Sequence, residues 1–480
     1  MKEVRDAIYS GANTTPGRDG LFYELFKHLD ELVLEEILAL FNSVWAEGCL
    51  PKEWKHAVVA PILKPGKDAS DPSSYRPIAL TSVLCKIMER MITNRLVYFL
   101  ESKGLFANFQ NGFRNGRSTM ESVTVLDQDI KKAFDSKEIV VSVFLDIEKA
   151  YDSLWKEGLM IKIYDLGVRG RTFNWIKDFL MKRTIQVQVG GKSSKIVEIG
   201  NGTPQGSVIS PVLFNIMIND IFSNIGRGFG QSLFADDGAI WRRGRNAEFI
   251  LKQVQKALVS VEEWADKWGF KISAAKSKFM IFGFRRKLPN LGLHMYGSSL
   301  ERVKDFKFLG IWFEERMTWA VHTARALAKG EKVLNVMRSL AGCDWGAERE
   351  TMHLIYQAMI RSVLDYGCFV YGSAAKSVLG KLDILQSKAL RLCCGAFKTS
   401  PIPALLIEMG EMPLYLRRIK LGLQYWVKLR GANQTLPARC LLQGSWDPGG
   451  KIKRKPFFDG VNQWASKLRM EQAGYLYLFG

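Results

Sequence analysis

Histidine is scarce in this chain, at 5 of 480 residues, and the 7 cysteines are scattered, with no C-x-x-C pair. That shortage argues against a zinc knuckle or a disulfide framework and fits a reducing compartment. No uninterrupted apolar run reaches the length of a membrane span. The opening segment, MKEVRDAIYS, lacks the apolar stretch of a secretory signal. A soluble, intracellular protein is expected, with no membrane partner and no zinc; no clear targeting signal stands out, although action on chromosomal DNA would require nuclear access. Acidic residues are also short, 48 Asp plus Glu against 68 Lys plus Arg, for a formal net charge of +20. Such an excess favours a polyanionic partner, because neutralising phosphates releases condensed counterions.

What is present suits a folded chain. The apolar fraction is 47%, ordinary for a globular protein, and the length predicts two or three packed units. No repeat of fixed period is visible. Periodicity predicts helices over about Leu21–Trp45 and Ser82–Ser102, near Leu154 and Arg171, and over Asn246–Trp268. IVVSVFLD (139–146) reads as a buried central strand, QVQVGG with KIVEIG as a strand pair, SLFADDGAIW as a hairpin, and KFMIFGF as a further strand. LHMYGSSLERVKDFKFLGIWF reads as a small β-meander. Helices then dominate, over Trp319–Leu340, Ala347–Tyr371, Lys376–Ala396 and Pro413–Arg430, before a basic tail containing DPGGKIKRKP. The fold class expected is mixed α/β (α+β), followed by an all-helical unit.

Carboxylates carry the chemistry. Asp146 ends an apolar strand, where a charge is costly unless paired or metal-bound. Asp236 and Asp237 in FADDG sit at a hairpin tip, and adjacent carboxylates resist each other's ionisation unless a cation neutralises them. On a regular strand the two would face opposite sides, so one of them, taken as Asp236, is expected to share a site with Asp146. Convergent carboxylates without histidine suit Mg²⁺, an oxygen-loving ion that shares its shell with substrate phosphates. A pair of such ions ~3.5–4 Å apart can activate a hydroxyl and stabilise a departing pyrophosphate. A solvated Asp-Asp turn satisfies the same pattern, and spacing alone does not choose between them. In NGTPQGSVISPVLFNIMIND, Ser210 followed by Pro211 predicts a helix N-terminus. Gly202, Pro204 and Gly206 before it form a turn that would present Gln205 to a ligand.

These segments occur in a specific order: TPGRDG, PILKPGK, SYRPIAL, NFQNGFRNGRST, FLDIEKAYD, NGTPQGSVISP, FADDG, GFKISAAKSK and FKFLG, across about 15–313. In that order they resemble the reverse transcriptases of non-LTR (LINE-like) retrotransposons, and the helical region to about 430 resembles the family's thumb. The resemblance implies a right-hand polymerase: an N-terminal extension and fingers (1–135), a palm (136–315), a helical thumb (316–431) and a basic tail (432–480). It implies RNA-directed DNA polymerase activity, with an RNA template, a DNA primer, dNTPs and two Mg²⁺ ions, Mn²⁺ being a substitute. Asp146, Asp236 and Asp237 match the catalytic, metal-binding triad. Tyr151 matches the steric gate against a ribose 2′-hydroxyl, Arg76 a triphosphate contact aided by Lys64, and Gln205 a nucleotide contact. Lys276 matches a lysine near the leaving pyrophosphate. Leu309 and Gly310 match the primer grip, and Gly112, Arg114 and Arg117 a template-side segment. Two departures stand out: Phe234 where many relatives carry Tyr, and Ser273 where the family often has Asn, which puts a local turn contact in question. Endonuclease, RNase H and Cys/His-knuckle domains are expected to lie outside this chain. An RNA-dependent RNA polymerase and a non-enzymatic nucleic-acid-binding relic are the rival readings; Tyr151 speaks against the first and the three aspartates against the second.

Overall fold

The computed structural model describes residues 1–284, 292–342, 345–432 and 436–439. The basic DPGGKIKRKP stretch lies outside them. Helices α1 (Lys2–Tyr9), α2 (Tyr23–Lys27) and α3 (Glu31–Glu47) open the chain. The single helix expected over Leu21–Trp45 is split, because Asp30 caps a new helix by accepting the Val33 N–H at 2.9 Å. Strands β1 (His56–Leu63) and β2 (Tyr75–Leu80) form an antiparallel pair around the basic Pro/Gly loop. α4 (Val83–Ser102) follows as expected. α5 (Thr119–Asp135) has no counterpart in the sequence reading, although the chain signals it: Ser118 and Glu121 form a capping box.

The centre of the molecule is β3 (Ile139–Asp146), buried along all but its last residue. After it come α6 (Lys156–Asp165), α7 (Gly170–Leu180), β4 (Thr184–Val189), β5 (Lys192–Ser193), β6 (Val197–Glu198) and α8 (Ser210–Ile218). β4 runs parallel to β1, so the expected strand pair enlarges the N-terminal sheet. α8 has Ile209, not Ser210, at its N-cap, and no side chain of its own caps it. The chain then forms β7 (Gly230–Phe234), β8 (Asp237–Gly244), α9 (Ala247–Trp268) and β9 (Lys278–Phe282). β8 and β9 flank β3, both antiparallel to it.

The predicted meander is instead three separate pairings. β10 (His294–Met295) and β11 (Ser298–Ser299) pair with each other, and β12 (Glu301–Arg302) joins β9 in parallel. β13 (Asp305–Phe308) and β14 (Ile311–Glu314) form their own hairpin. The helical unit contains α10 (Ala320–Leu340), α11 (Arg349–Ile355), α12 (Ser362–Asp365), α13 (Cys368–Tyr371), α14 (Lys376–Cys394), α15 (Ile402–Glu408) and α16 (Leu414–Gly431). The helix expected over Ala347–Tyr371 is interrupted by a π-turn at Tyr356–Arg361 and by Gly367 in the left-handed region. α15 was not anticipated.

Alternation along β3 divides the interior. Ile139, Val141, Val143 and Leu145 belong to the core that also holds α4, α6, α8 and α9. Val140 and Phe144 belong to the core shared with α5, the β13–β14 hairpin and the helical unit. Each such side chain contributes roughly 1.5–3 kcal/mol by leaving water. Asp146 follows the second series, so its carboxylate emerges on the face that carries the hairpin. The result is a mixed α/β fold of the expected class. Among the described residues no helix is long and apolar enough to cross a membrane.

Candidate active site

In the register of β3 and β8, Asp146 stands directly opposite Asp237. Directly opposed residues of an antiparallel pair share a face, so Asp237 is the cross-strand partner of Asp146, while Asp236, which alternation placed there, also feels the Asp146 charge. The reason for the pairing is the length of the turn. Phe234 pairs with Asp237, leaving Ala235 and Asp236 as a two-residue loop with Ala235 at φ 55°. Asp236 therefore belongs to the turn, where strand alternation does not apply.

Loss of water pushes the Asp237 carboxyl up to about 6, with the charges of Asp236 and Asp146 adding to the effect. Asp236 is raised as well, first by burial and then by Asp146, against the pull of its own backbone N–H and of Arg76. One oxygen of Asp146, Oδ2, is buried and accepts no hydrogen bond; Lys276 Nζ lies 3.4 Å from it. Three carboxyls, two of which resist ionisation, face a single lysine ammonium, a donor set short of positive charge. That fits a divalent cation. Among the described residues, no three His, Cys, Asp or Glu side chains stand ready as a metal-holding group. Mg²⁺ commonly needs only one or two carboxylates, completing its shell with water and phosphate oxygens, so the opposed pair is compatible with it.

The end of β3 is fastened by the segment expected to carry Lys276. The Asp146 N–H donates to Ser277 Oγ at 3.1 Å, and its carbonyl accepts the Ser273 N–H at 2.9 Å. The contact of Ser273 with the end of β3 is thus made by main chain. Ser277 was not singled out in the sequence; a hydroxyl just before a β-strand gives no signal of its own.

Tyr151 stacks on Phe214 of α8, ring centroids 4.8 Å apart. Its hydroxyl is raised well above the usual tyrosine range by burial and by the Asp236 charge. Arg76 is exposed on β2, across from Ile62. Asp236, Tyr151 and Arg76 therefore lie within electrostatic reach in one neighbourhood. Gln205 Nε2 donates to Asp152 Oδ1 at 3.0 Å, and both line a pocket of about 280 Å³ with Pro77 and Ala79. Lys64 is turned back on its own hairpin, its ammonium donating to the Ser73 carbonyl at 3.0 Å.

The other expected residues play supporting parts. Gly112 packs on the acidic turn so closely that a Cβ there would lie 2.4 Å from the Ala235 nitrogen. Arg114 is buried, with two nitrogens on the Glu101 carboxylate at 2.7 and 2.6 Å and a third on the Ala107 and Gln110 carbonyls. Arg117 bonds the Asn108 and Gln110 carbonyls, and burial lowers it to about 10. Both guanidiniums are occupied inside the protein, because the loop they hold has no secondary structure to satisfy its carbonyls. Leu309 and Gly310 form the turn of the β13–β14 hairpin, at φ 45° and 88°. Together with Asp146, Asp237, Lys276 and Phe306 the turn lines a small pocket of about 80 Å³. Phe306 stacks on Phe144 at 4.4 Å, and Tyr366 donates to the Leu309 carbonyl at 2.7 Å. Tyr366 was missed in the sequence because its partner lies 57 residues away.

Asp146 and Asp237 stand opposed at one end of the central sheet, with Arg76 on a second sheet and the Gln205 turn nearby, an arrangement compatible with nucleotidyl transfer. Family comparison makes the class specific. The reverse transcriptase (RNA-dependent DNA polymerase) family matches residues 62–313, a little over half of the chain. The chain belongs to that family. It is 32% identical over 414 residues to the RNA-directed DNA polymerase from mobile element jockey of Drosophila melanogaster, covering 82% of this chain and 44% of that protein. It is 29% identical over 401 residues to a probable RNA-directed DNA polymerase from transposon X-element of the same species, with the same coverage. A Pol polyprotein of the type-1 retrotransposable element R1 of Bradysia coprophila is 25% identical over 433 residues, 88% of this chain and 42% of that protein. The chain spans less than half the length of these curated relatives.

Proposed function

We propose that this chain is an RNA-directed DNA polymerase of a non-LTR retrotransposon, extending a DNA primer on an RNA template with dNTPs by two-metal phosphoryl transfer. The single observation that carries the reading is the register of Asp146 against Asp237 beneath the Leu309 turn. Asp146, Asp236 and Asp237 would hold Mg²⁺ or, in its place, Mn²⁺. When bound, these ions activate the primer 3′-hydroxyl and stabilise the charge on the leaving pyrophosphate.

The chain's own residues supply the rest. Arg76, exposed and facing the Asp236 neighbourhood, grips the triphosphate through its planar fork. Tyr151, braced on Phe214, fills the space a ribose 2′-hydroxyl would need. Gln205 contacts the nucleotide from its turn. Lys276 neutralises Asp146 until substrate arrives and is then close enough to serve the pyrophosphate as a proton donor. Lys64 acts through its own loop. Leu309 and Gly310 support the primer terminus, while Gly112, Arg114 and Arg117 hold the template-side loop against the acidic turn. In this reading residues 1–135 are extension and fingers, 136–315 the palm, 316–431 the thumb, and 432–480 a basic tail. Lys and Arg on the thumb take the hybrid through its backbone and A-form shape.

Purified protein given an RNA template, a DNA primer, dNTPs and Mg²⁺ is expected to make cDNA, and Asp146→Ala to lower incorporation by about a thousandfold or more while leaving the melting temperature near wild type. Undiminished synthesis by Asp146→Ala refutes the assignment. Equal use of ribo- and deoxyribonucleotides by the wild type would instead favour an RNA polymerase, and Tyr151→Ala is expected to relax that discrimination.

A further inference from the structure

α4 is a helix whose buried face, Cys85, Met88, Ile92 and Leu96, carries one acidic residue in phase with it, Glu89. Glu89 is 0% exposed. A buried carboxylate is costly unless its oxygens are fully used, and this one is used at a particular place. Its Oε2 accepts the Val208 N–H at 2.7 Å, the Ile209 N–H at 3.2 Å and the Ser207 hydroxyl. Those donors are the N-cap residue of α8, Ile209, and the two residues that lead into it; α8 has no capping side chain of its own. The buried charges of Lys86 and Arg183 act on the same carboxylate. Glu89 therefore holds the N-cap end of α8 from another helix, with its charge at the positive end of the helix dipole.

The capped segment is not an arbitrary one. Immediately before it, the Gln205 carbonyl accepts the Ala79 N–H of β2 at 2.6 Å. Gly206, at φ 123°, lets the backbones meet: a Cβ there would lie 2.6 Å from the Ala79 oxygen. Further along α8, Phe214 is the floor under Tyr151, and Asn215 Nδ2 donates to the Gly112 carbonyl at 2.7 Å. The glutamine turn is thus clamped from both sides, by β2 before it and by Glu89 after it.

We infer that Glu89 is a positioning residue for the incoming nucleotide, holding Gln205 through the capped start of α8 without itself touching substrate. This rests on the polymerase reading above. Glu89→Gln keeps the shape but removes the charge and turns an amide donor toward other donors. It is expected to raise KM for dNTP roughly tenfold, as loss of charge-assisted hydrogen bonds does, with kcat within about twofold and unchanged affinity for primer–template. In a Gln205→Ala background the same substitution is expected to add less than about twofold, because the residue it acts through is gone. A wild-type KM in Glu89→Gln, or the full effect persisting without Gln205, overturns the inference. So does a variant that only melts earlier. Should Glu89→Gln fail to fold, Ser207→Ala, which removes one of the same hydrogen bonds, is expected to raise KM about threefold, and an unchanged KM there overturns it equally. A wild type that incorporates no dNTP overturns the polymerase reading and this inference together, whereas an active wild type with an indifferent Glu89→Gln overturns only the latter.

Discussion

The Ala235–Asp236 turn and the Leu309–Gly310 turn each join antiparallel strands through two residues, and each places a non-glycine residue at positive φ, 55° at Ala235 and 45° at Leu309. Residues of both hairpins line the same small pocket. They differ in what restrains them. The acidic turn is held by main chain: the Asn111 N–H donates to the Leu233 carbonyl at 2.8 Å, and Gly112 lies flat against Ala235. The apolar turn is held by a side chain, the Tyr366 hydroxyl, which bridges the Leu309 carbonyl and Thr119 Oγ1 at 2.7 and 2.9 Å. Left-handed backbone in a non-glycine residue costs of order 1–3 kcal/mol, and it persists only where neighbours enforce it. Main chain enforces it rigidly, where carboxylates must keep their spacing. A tyrosine at the end of rotatable bonds enforces it with more give, which suits the primer contact proposed for this turn.

The contrast is open to breakage. Gly112→Ala should have the largest effect. The added methyl meets backbone, which must shift, and a displacement approaching 1 Å at reacting groups costs about a hundredfold in rate. Primer extension would register that loss, and retention of full activity would mean that the acidic turn is not held from this side. Acidification should next loosen the apolar hairpin. His322 is buried and accepts the Trp312 N–H of β14 at 3.3 Å, and burial, then Lys329, lowers its pKa to about 4. The unfolded chain takes up its proton near pH 6.5 while the folded one waits until about 4, so stability is fully present above 6.5 and falls as pH drops to 4. The loss from this group is on the order of 3 kcal/mol, and the difference between wild type and His322→Gln in chemical denaturation at the two pH values measures it. Tyr366→Phe should have the smallest effect, about 1 kcal/mol of stability, visible as a modest fall in melting temperature with the aspartates' activity largely kept.

The sequence made the centre of the molecule readable and its fastenings hardly at all. An apolar run ending in Asp146, an acidic hairpin and a glycine turn announce themselves through local pattern, and the structure contains each of them. Which of Asp236 and Asp237 pairs across from Asp146 depends on turn length, one residue either way, and strand alternation does not give it. Arg114 and Arg117 look like free cations in a row of letters; only the fold reveals Glu101 and the loop carbonyls that occupy them. Asp30 broke an expected helix by the same capping chemistry that was legible, in hindsight, at Ser118 and Glu121. Glu89, Ser277 and Tyr366 act on partners distant along the chain, and no local period encodes a partner.

The strip of chain from Phe109 to Asn111 that steadies the acidic turn also lies along β7, trading hydrogen bonds with Leu233 in both directions at 2.9 and 2.8 Å. β7 is the last strand on its side of the central sheet, and the far side ends in β12, only two residues long. A bare sheet margin invites a stranger's strand to dock and aggregation to follow. Here the hydrophobic centre of a large, basic protein is closed off at one margin by its own loop and shortened at the other, so loosening that loop would trade solubility as well as turnover.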